Sequence, residues 1–288
     1  MTPKEWRAYT RVGHLDNLET LRAVFYDHAY SRHYHDGYAV GVILKGSETY
    51  DCNKKTNVAP KGSIVIVNPG EIHDGCASNR ELGWGYFMIY PHLSLIRTAL
   101  NQLGLDDNRL PVFPETVFRD PEFAAGLIRF MDAFDAGDPE MKLEAVFLEL
   151  LHLMISRHAE FPRTAESGTT VLDTPEKRKV AQVTEMVREN FADPLSLEDL
   201  ATEVGLSSWA LLRLFKKQTG ISPYLLQTRL KISHAKEALR EGVSPADTAA
   251  LCGFADQSHM TKQFRRWMGV TPGDVAAGYS TYRDTMSA

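Results

Sequence analysis

Short apolar segments alternate with turn-forming residues through the first third of the chain. Residues 39–44 (AVGVIL), 63–68 (SIVIVN) and 86–90 (YFMIY) are apolar, and Gly, Asn, Lys and Pro residues separate them. Short strands spaced by turns are typical of antiparallel β-proteins. Between residues 21 and 90 the pattern therefore predicts a small antiparallel barrel. Because side chains alternate along a strand, half of them would point into its interior.

A helical pattern begins after Pro91. Residues 93–104, 121–137 and 139–160 each predict a helix. The last helix carries a wide apolar face at spacings of three, four and seven residues, formed by Leu143, Val146, Phe147, Leu150, Leu151 and Met154. This face could cover the barrel, or it could pair with the same face of a second subunit. We favour pairing and predict a helical dimerisation segment and a homodimer.

The last hundred residues contain one pattern twice. Residues 196–223 and 244–272 each open with Ser and an acidic residue three positions later, reach a Gly-apolar turn, and run into a basic helix. Ser followed three residues later by an acidic residue is a helix-capping signal. Ser207, Ser222 and Asp256 are the predicted caps of the later helices. The pattern predicts two helix-turn-helix units, at about 196–219 and 244–268, and a connector helix at about 222–241.

In each unit the second helix combines an apolar stripe with polar and basic residues on its other faces. The predicted stripes are Leu211, Leu214 and Phe215 in the first unit and Met260, Phe264 and Trp267 in the second. A recognition helix presents such side chains to base edges in the major groove, and basic residues also bind phosphates. Gln257, Ser258, His259 and Lys262 are candidates for base contacts, whereas Lys216, Lys217, Arg265 and Arg266 are candidates for phosphate contacts. One basic helix alone is often just a solvated surface, but both copies end in the same Gly-[Ile/Val]-[Ser/Thr]-Pro phrase. The repetition therefore favours DNA binding. If both recognition helices enter the major groove on one face of the duplex, they should lie about 34 Å apart.

Charge is divided between the two halves of the chain. Residues 175–288 carry 15 Lys and Arg against 13 Asp and Glu, or +2, whereas residues 1–174 carry 17 against 24, or −7. Residues 162–178 are polar and lack periodic apolar positions, as linkers do. The predicted boundaries are residues 1–162 for a ligand-sensing and dimerisation domain, 163–176 for the linker and 177–288 for a DNA-binding domain.

Composition narrows the class of protein further. The chain has 288 residues, and no apolar run approaches the about 20 residues that a membrane span needs. The first residues lack the apolar stretch of a signal peptide. Cys52, Cys76 and Cys252 are odd in number and lack metal-binding spacing, so neither a disulfide framework nor a zinc finger is indicated. We expect a cytoplasmic protein with no membrane partner.

Residues 175–277 resemble the DNA-binding domain of AraC-family transcriptional regulators, through both helix-turn-helix units and the connector. The resemblance implies that Trp209, Leu212 and Arg213 face bases in the first unit. It implies the same role for Gln257, Ser258, His259 and Lys262 in the second. Leu212 departs from the polar residue often found at its position, so it either contacts a thymine methyl or reads its base less selectively.

The spacing of histidines and glycines in the N-terminal half resembles the cupins. The first cupin motif is partly met by His33, His35 and Gly46, with Ala39 where a Glu ligand would stand. The second is met by Gly62, Gly70 and His73, with Asn68 and Ala77 replacing the usual Pro and Asn. The fold class is therefore multidomain α+β, a cupin-like β-barrel with a helical dimerisation segment followed by an all-α domain.

The three retained histidines, His33, His35 and His73, leave two interpretations open. Neutral imidazoles bind Zn, Ni or Fe, so the set could hold a divalent metal. They could equally hydrogen-bond an organic ligand or one another. The resemblance to AraC-family sensors implies a small-molecule pocket without a required cofactor, with candidate ligand-binding residues His33, His35, Tyr38, Glu48, Tyr50, His73, Trp84 and Tyr86.

We predict a ligand-responsive transcription regulator rather than an enzyme. Its partners would be double-stranded DNA, a small-molecule effector and RNA polymerase. One alternative is a metal-dependent cupin dioxygenase or isomerase fused to a DNA-binding domain, against which the missing Glu at Ala39 counts. Another is an architectural DNA binder that needs no ligand.

Overall fold

The computed structural model describes residues 5–52, 55–161 and 174–277. These residues form two compact units, one on each side of residues 162–173. Residues 163–173 of the predicted linker lie outside the described residues. The first helix of the second unit begins at Pro175, within the predicted linker.

The first unit contains antiparallel strands β1 (Trp6–Val12), β2 (Leu18–Phe25), β3 (Ala29–His33), β4 (Ala39–Cys52), β5 (Lys55–Pro60), β6 (Ile64–Val67), β7 (His73–Ala77), β8 (Trp84–Tyr90) and β9 (Val117–Phe118). The main strand order is β1-β2-β8-β4-β6-β9, while β5 and β7 pair with β4, and β3 pairs with β7. The three strands predicted from apolar segments correspond to β4, β6 and β8. Strand β1 lies before the predicted range, so the β-structure is larger than the sequence indicated.

Strand β4 changes partners along its length. Its first half pairs with β6 and β8, and its second half pairs with β5 and β7. The change occurs at Gly46, where φ is +62° and a Cβ atom would lie 1.9 Å from the carbonyl oxygen of Gly83. Only glycine allows this backbone angle together with this close approach. Gly46 therefore allows one strand to serve both sides of the barrel.

Three helices cover the outer side of the strands, namely α1 (Leu93–Gln102), α2 (Pro121–Ala136) and α3 (Glu140–His158). In β4, Val40 and Val42 pair with Ile89 and Phe87 of β8. All four side chains belong to one buried apolar cluster that also contains residues of the three helices. The apolar core of this unit therefore lies between the sheet and the helices.

The apolar face of α3 is part of that same core. Leu143, Phe147, Leu150 and Leu151 are each no more than 5% exposed, and Val146 is half-buried at the edge. Of the two uses considered for this face, covering the barrel is the one observed. Since these side chains are already buried within one chain, the structure does not support pairing through this face, and the homodimer stays a prediction.

Asp120 joins the start of α2 to the end of α3. Its carboxylate accepts hydrogen bonds from the backbone N–H groups of Glu122 and Phe123 at 3.1 and 3.0 Å. It also accepts one from His158 Nε2 at 2.9 Å and pairs with Arg157 at 3.3 Å. Burial alone would raise the pKa of Asp120, but these donors hold it at about 2.

The second unit consists of α4 (Pro175–Glu189), α5 (Leu197–Glu203), α6 (Ser208–Thr219), α7 (Pro223–Arg240), α8 (Pro245–Leu251), α9 (Gln257–Met268) and α10 (Pro272–Ala276). The predicted helix starts are confirmed by their caps. The side chains of Ser196, Ser207, Ser222, Ser244 and Asp256 each accept a hydrogen bond from the backbone N–H three residues later. Both helix-turn-helix units and the connector therefore begin where the capping signals indicated.

The predicted apolar stripes hold with one exception. In α9, Met260, Phe264 and Trp267 are buried as predicted. In α6, Leu211 and Phe215 are fully buried, whereas Leu214 is only half-buried. The buried residues of α6 lie four positions apart, so Leu214 falls at the margin of the stripe.

The connector α7 holds the loop that precedes α5 and the turn of the second helix-turn-helix unit. Gln227 donates from Nε2 to the carbonyl oxygens of Phe191 and Asp193 at 3.1 and 2.7 Å. Lys231 donates from Nζ to the carbonyl oxygen of Gly253 at 2.6 Å. Gly253 has φ of +68°, and a Cβ there would lie 1.8 Å from the carbonyl oxygen of Ala192. The turn of the second helix-turn-helix therefore packs directly on the loop that precedes the first.

Candidate functional site

Helix α6 presents an exposed face that we call the first reading face, formed by Trp209, Leu212, Arg213 and Lys216. These residues are spaced by three, four and seven positions, so they lie on one side of the helix. Trp209 is 68% and Leu212 36% exposed. The Arg213 guanidinium lies 5.2 Å from the centre of the Trp209 ring, within range of a cation–π interaction. The two side chains are thereby held together at the surface.

Helix α9 presents the second reading face, formed by Gln257, Ser258, Thr261, Lys262 and Arg265. These five side chains line one recess of about 550 Å³. Thr261 was not predicted, although its position between Ser258 and Lys262 on the helix could have indicated it. The face lies on the side of α9 away from its buried stripe.

The remaining predicted DNA-binding residues, His259, Lys217 and Arg266, are also exposed. His259 sits at the start of α9, where its ring lies 5.7 Å from that of Phe254. Its Nε2 is 3.5 Å from Gln263 Nε2. Lys217 and Arg266 lie in the last turns of their helices, next to Lys216 and Arg265.

Local charge differs sharply from the charge of the whole chain. Helices α6 and α9 each carry three Lys or Arg residues and no Asp or Glu, although the chain as a whole has a net charge of −5. A cationic helix face attracts the phosphates of nucleic acid and releases condensed counterions on binding. The two reading faces therefore have the chemistry of a surface that binds nucleic acid.

The inner side of the barrel carries an aromatic cluster of Phe25, Tyr30, Trp84 and Tyr86. The rings of Trp84 and Tyr86 lie 4.7 Å apart, and the Tyr30 ring lies 6.3 Å from Trp84. The hydroxyl groups of Tyr30 and Tyr86 are hydrogen-bonded at 2.6 Å. Trp84 is 2% exposed, and its buried Nε1–H has no hydrogen-bond acceptor among the described residues.

Next to the aromatic cluster lies a histidine cluster of His33, His35 and His73. One ring nitrogen from each lies within 4.8 Å of the others. His33 Nδ1 is 2.7 Å from the carbonyl oxygen of Ser31, and His73 Nδ1 is 3.0 Å from that of Glu71. Since a carbonyl only accepts, both Nδ1 atoms carry the proton, and each Nε2 carries a lone pair. Burial lowers the pKa of His73, so this ring favours the neutral form that binds metals or accepts hydrogen bonds.

Glu48 of β4 completes the inner side. Its Oε1 lies 2.5 Å from the position that a Cβ would take at Gly75, and Trp84 Cη2 lies 3.8 Å from that same position. Burial, and secondarily the charge of Asp74, raise the pKa of Glu48 to about 8. Its carboxylate has no hydrogen bond or ion pair with the residues that the structure describes. A carboxyl group that has no partner among the described residues thus lies next to Trp84.

Two predicted pocket residues lie elsewhere or are already engaged. Tyr38 belongs to the apolar core beneath the helices, where its hydroxyl donates to the carbonyl oxygen of Pro111 at 2.7 Å. Like Val40 two positions later, Tyr38 packs in the core with the helices, so the structure does not bring it together with the other candidate pocket residues. Tyr50 is buried, and its hydroxyl donates to the carbonyl oxygen of Thr116 at 3.1 Å.

The structure also brings in residues that sequence reasoning missed, namely Tyr30, Gly75 and Tyr90. Tyr90 follows Trp84 and Tyr86 at even spacing on β8, so strand alternation could have indicated it. Tyr30 and Gly75 reach the cluster through the pairing of β3 with β7. No local pattern in the sequence signals that pairing.

Comparisons with known proteins agree with this division into two units. Residues 17–151 match the family model of the AraC-like ligand binding domain, and residues 200–278 match a helix-turn-helix domain. The chain is 30% identical over 257 residues to the uncharacterised HTH-type transcriptional regulator YbfI of Bacillus subtilis, covering 87% of this chain and 90% of that protein. It is 26% identical to the HTH-type transcriptional activator RhaS of Citrobacter koseri, covering 87% and 88%.

Two solved structures share the fold at low sequence identity. Apo ToxT from Vibrio cholerae aligns with a TM-score of 0.54 at 12% identity, over 97% of this chain and 98% of that one. ToxT bound to unsaturated fatty acid aligns with a TM-score of 0.51 at 13% identity, over 96% and 94%. Within the described residues, no helix is both long and apolar enough to cross a membrane.

Proposed function

The chain belongs to the AraC family of transcription regulators, and from this premise we propose that its two reading faces bind promoter DNA under the control of a small molecule held in the barrel. The observation that carries the proposal is the matched pair of exposed, cationic helix faces. Each follows the turn of a helix-turn-helix unit, which is where a recognition helix enters the major groove.

Roles within the reading faces follow from side-chain chemistry. Arg213 and Lys262 can hydrogen-bond the O6 and N7 atoms of guanine, and Gln257 can pair with adenine. Lys216 and Arg265, one turn nearer the helix C-termini, bind phosphates and set the register. Trp209 packs against Arg213, so it restricts the directions in which that guanidinium can point.

The barrel is the proposed sensor. Its inner side combines aromatic rings with a few polar groups, the usual composition of a small-molecule site. The ToxT structure with bound unsaturated fatty acid supports a ligand site in a protein of this fold. A ligand that prefers one conformation of the chain would shift the population able to bind the promoter.

The remaining parts of the proposal follow from the role of a transcription regulator. The protein acts in the cytoplasm on double-stranded DNA, contacts RNA polymerase and binds as a homodimer. Dimerisation would place four recognition helices on adjacent half-sites and raise affinity through effective concentration. The homologues are transcriptional regulators, and we propose that the chain has no catalytic activity of its own.

Selection of binding sites from random DNA with the full chain, followed by fluorescence anisotropy, tests the DNA half of the proposal. Arg213→Ala and Lys262→Ala should each weaken binding to the selected site and change the preferred base at one position. Lys177→Ala is the matched control, because Lys177 is an exposed basic residue on α4 outside both reading faces. Unaltered binding by both reading-face variants would refute the assignment.

A second candidate function, a metal-dependent cupin enzyme, draws support from the histidine cluster. Three imidazoles with ring nitrogens within 4.8 Å of one another are a set that Zn, Ni or Fe can use. Ala39 supplies no carboxylate where the cupin pattern has Glu, which counts against that chemistry. Elemental analysis of the purified protein discriminates the two. One equivalent of metal that is lost in His73→Ala would favour the second candidate, and metal-free protein that still responds to an organic ligand would favour the sensor.

A further inference from the structure

The carboxyl group of Glu48 lies against Gly75 in the barrel wall, neither fully exposed nor in the packed core. Its side chain is half-buried, yet enough protein surrounds it to raise its pKa to about 8. Gly75 leaves room for it, because a Cβ at that position would lie 2.5 Å from Glu48 Oε1. The glycine and the carboxyl group thus form one feature of the barrel wall.

Glu48 has no partner for its charge. It forms no ion pair or hydrogen bond within the described ranges, and the nearby charge that acts on it is that of Asp74, which is also negative. An ionised carboxylate without a partner is costly to bury. A group that costs stability and contributes no internal contact is suited to bind something from outside the chain.

Aromatic residues lie near this carboxyl group. Trp84 Cη2 lies 3.8 Å from the position that a Cβ would take at Gly75, and Glu48 Oε1 lies 2.5 Å from that same position. Burial first, and the charge of Glu48 in addition, raise the pKa values of Tyr30, Tyr86 and Tyr90, so all three hydroxyl groups lie within its electrostatic reach. Trp and Tyr rings attract quaternary ammonium groups and other organic cations, and a carboxylate beside them adds a negative charge.

We propose that the effector is an organic cation, an ammonium or guanidinium compound, whose positive group binds between the Glu48 carboxylate and the rings of Trp84, Tyr30 and Tyr86. This inference rests on the proposed function, since it requires the barrel to be the sensor. The buried Trp84 Nε1–H, which has no acceptor among the described residues, offers a hydrogen bond to a hydroxyl or carbonyl oxygen elsewhere on the ligand.

The other charges near the site favour a cation over an anion. Asp74 and Glu71 add negative charge near the neighbouring side chains Tyr50, Cys52 and His73. Arg7 is a basic residue whose charge acts on Tyr30 and His28, but it is not among the causes of the Glu48 shift. A fatty acid or another carboxylate would bring a second negative charge towards Glu48, which is unfavourable at a desolvated site.

The test compares probes that differ in charge but not in shape. Choline and its neutral isostere 3,3-dimethylbutan-1-ol form one pair, and agmatine and putrescine extend the cationic set. A neutral sugar, rhamnose, and an anion, oleate, complete the panel. Binding to the full chain is measured by calorimetry and tryptophan fluorescence in the presence of EDTA, so that a metal ion cannot take the place of the cation.

At least one cationic probe should bind saturably and at least tenfold more tightly than its neutral counterpart. Glu48→Gln should weaken that binding at least tenfold, and Gly75→Ala, which crowds the carboxylate, should also weaken it. Asp51→Asn is the matched control, because Asp51 is an exposed acid on the same strand. Far-UV circular dichroism and the melting temperature verify that each variant is folded.

The outcomes separate this inference from the proposed function. Saturable binding of rhamnose or oleate but of no cation would overturn the charge inference and leave the barrel as a sensor. Absence of binding by every cation, or equal cation binding by Glu48→Gln and the unmodified chain, would likewise overturn it. Failure of every probe to alter DNA binding, even when one occupies the barrel, would instead count against the proposed function.

Discussion

Replacing Glu48 with glutamine should stabilise the first unit by an amount that grows as the pH rises. Glutamine has nearly the shape of protonated glutamic acid but cannot ionise. In the folded chain, burial and then the charge of Asp74 raise the pKa of Glu48 from an ordinary value of 4.5 to about 8. Between these two values the folded chain keeps a proton that the unfolded chain has released. The free energy of unfolding of the unmodified protein therefore falls as the pH rises from about 4.5 to 8.

The size of the effect follows from the pKa difference. One pH unit corresponds to about 1.4 kcal/mol, so the full difference amounts to about 5 kcal/mol. Because the side chain is half-buried, water screens part of this cost, and we expect about 2 to 5 kcal/mol. Near pH 4.5 the two proteins should be equally stable, and by pH 9 the glutamine variant should be more stable by that amount.

Urea denaturation followed by tryptophan fluorescence, repeated at each pH unit from 5 to 9 without ligand, measures the difference. All other ionisable groups are common to the two proteins, so their contributions cancel in the comparison. Asp51→Asn again serves as control, because it replaces an exposed acid on the same strand by its amide. A difference for Glu48→Gln that stays constant within about 0.5 kcal/mol across the range would refute the reasoning that Glu48 is desolvated and unpaired.

Three further predictions concern other parts of the chain. Arg213→Ala should reduce the free energy of binding to the selected DNA site by about 1 to 3 kcal/mol and relax selectivity at one base pair. Lys217→Ala should weaken binding to all sequences alike and flatten the salt dependence. Equal effects of both variants on every sequence in anisotropy titrations would contradict this. The donors around Asp120 hold its pKa at about 2, so its ionised form stabilises the fold above about pH 4, and that contribution is lost as the pH falls towards 2. Asp120→Asn should therefore destabilise the protein by about 1 to 2 kcal/mol at pH 7, with a difference that shrinks below pH 4 in urea titrations, and a loss independent of pH would exclude the ionic role. Gly253→Ala should lower the melting temperature of the second unit more than Gly205→Ala. Both positions have positive φ, but only at Gly253 would the added Cβ meet a backbone oxygen, that of Ala192 at 1.8 Å. Equal losses would show that the contact with Ala192 is unimportant.

Local signals account for what was predictable in the second unit. A cap, an acidic residue three positions later and an apolar stripe all act within about ten residues, so Ser196, Ser244 and Asp256 could be assigned without tertiary information. The repeated pattern did not indicate that the turns at Gly205 and Gly253 have different surroundings. Gly205 meets no atom within 4 Å, whereas Gly253 packs on Ala192, more than sixty residues earlier in the chain.

Longer-range pairing accounts for what was not predictable in the first unit. The apolar face of α3 indicates burial but not the partner, so the pattern of Phe147 and Leu150 is the same whether a sheet or a second subunit covers it. Likewise, Glu48 and Tyr30 lie near each other because β7 pairs with both β3 and β4. Registers between strands far apart in sequence leave no periodic signal in either strand.

The separation of the two faces of the strands explains how this fold can tolerate a costly inner site. Val40, Val42 and Phe87 bury their side chains against the helices, and this outer core supplies the apolar burial that stabilises the unit. Glu48 and Trp84 lie on the inner side, where a carboxyl and an N–H without partners in the described part of the chain reduce stability without disturbing the core. Polar groups that lack internal hydrogen-bond partners are expected at functional sites. A ligand that bonds to both groups would offset their cost to stability. This offset is a physical source for coupling effector binding to the conformation of the chain.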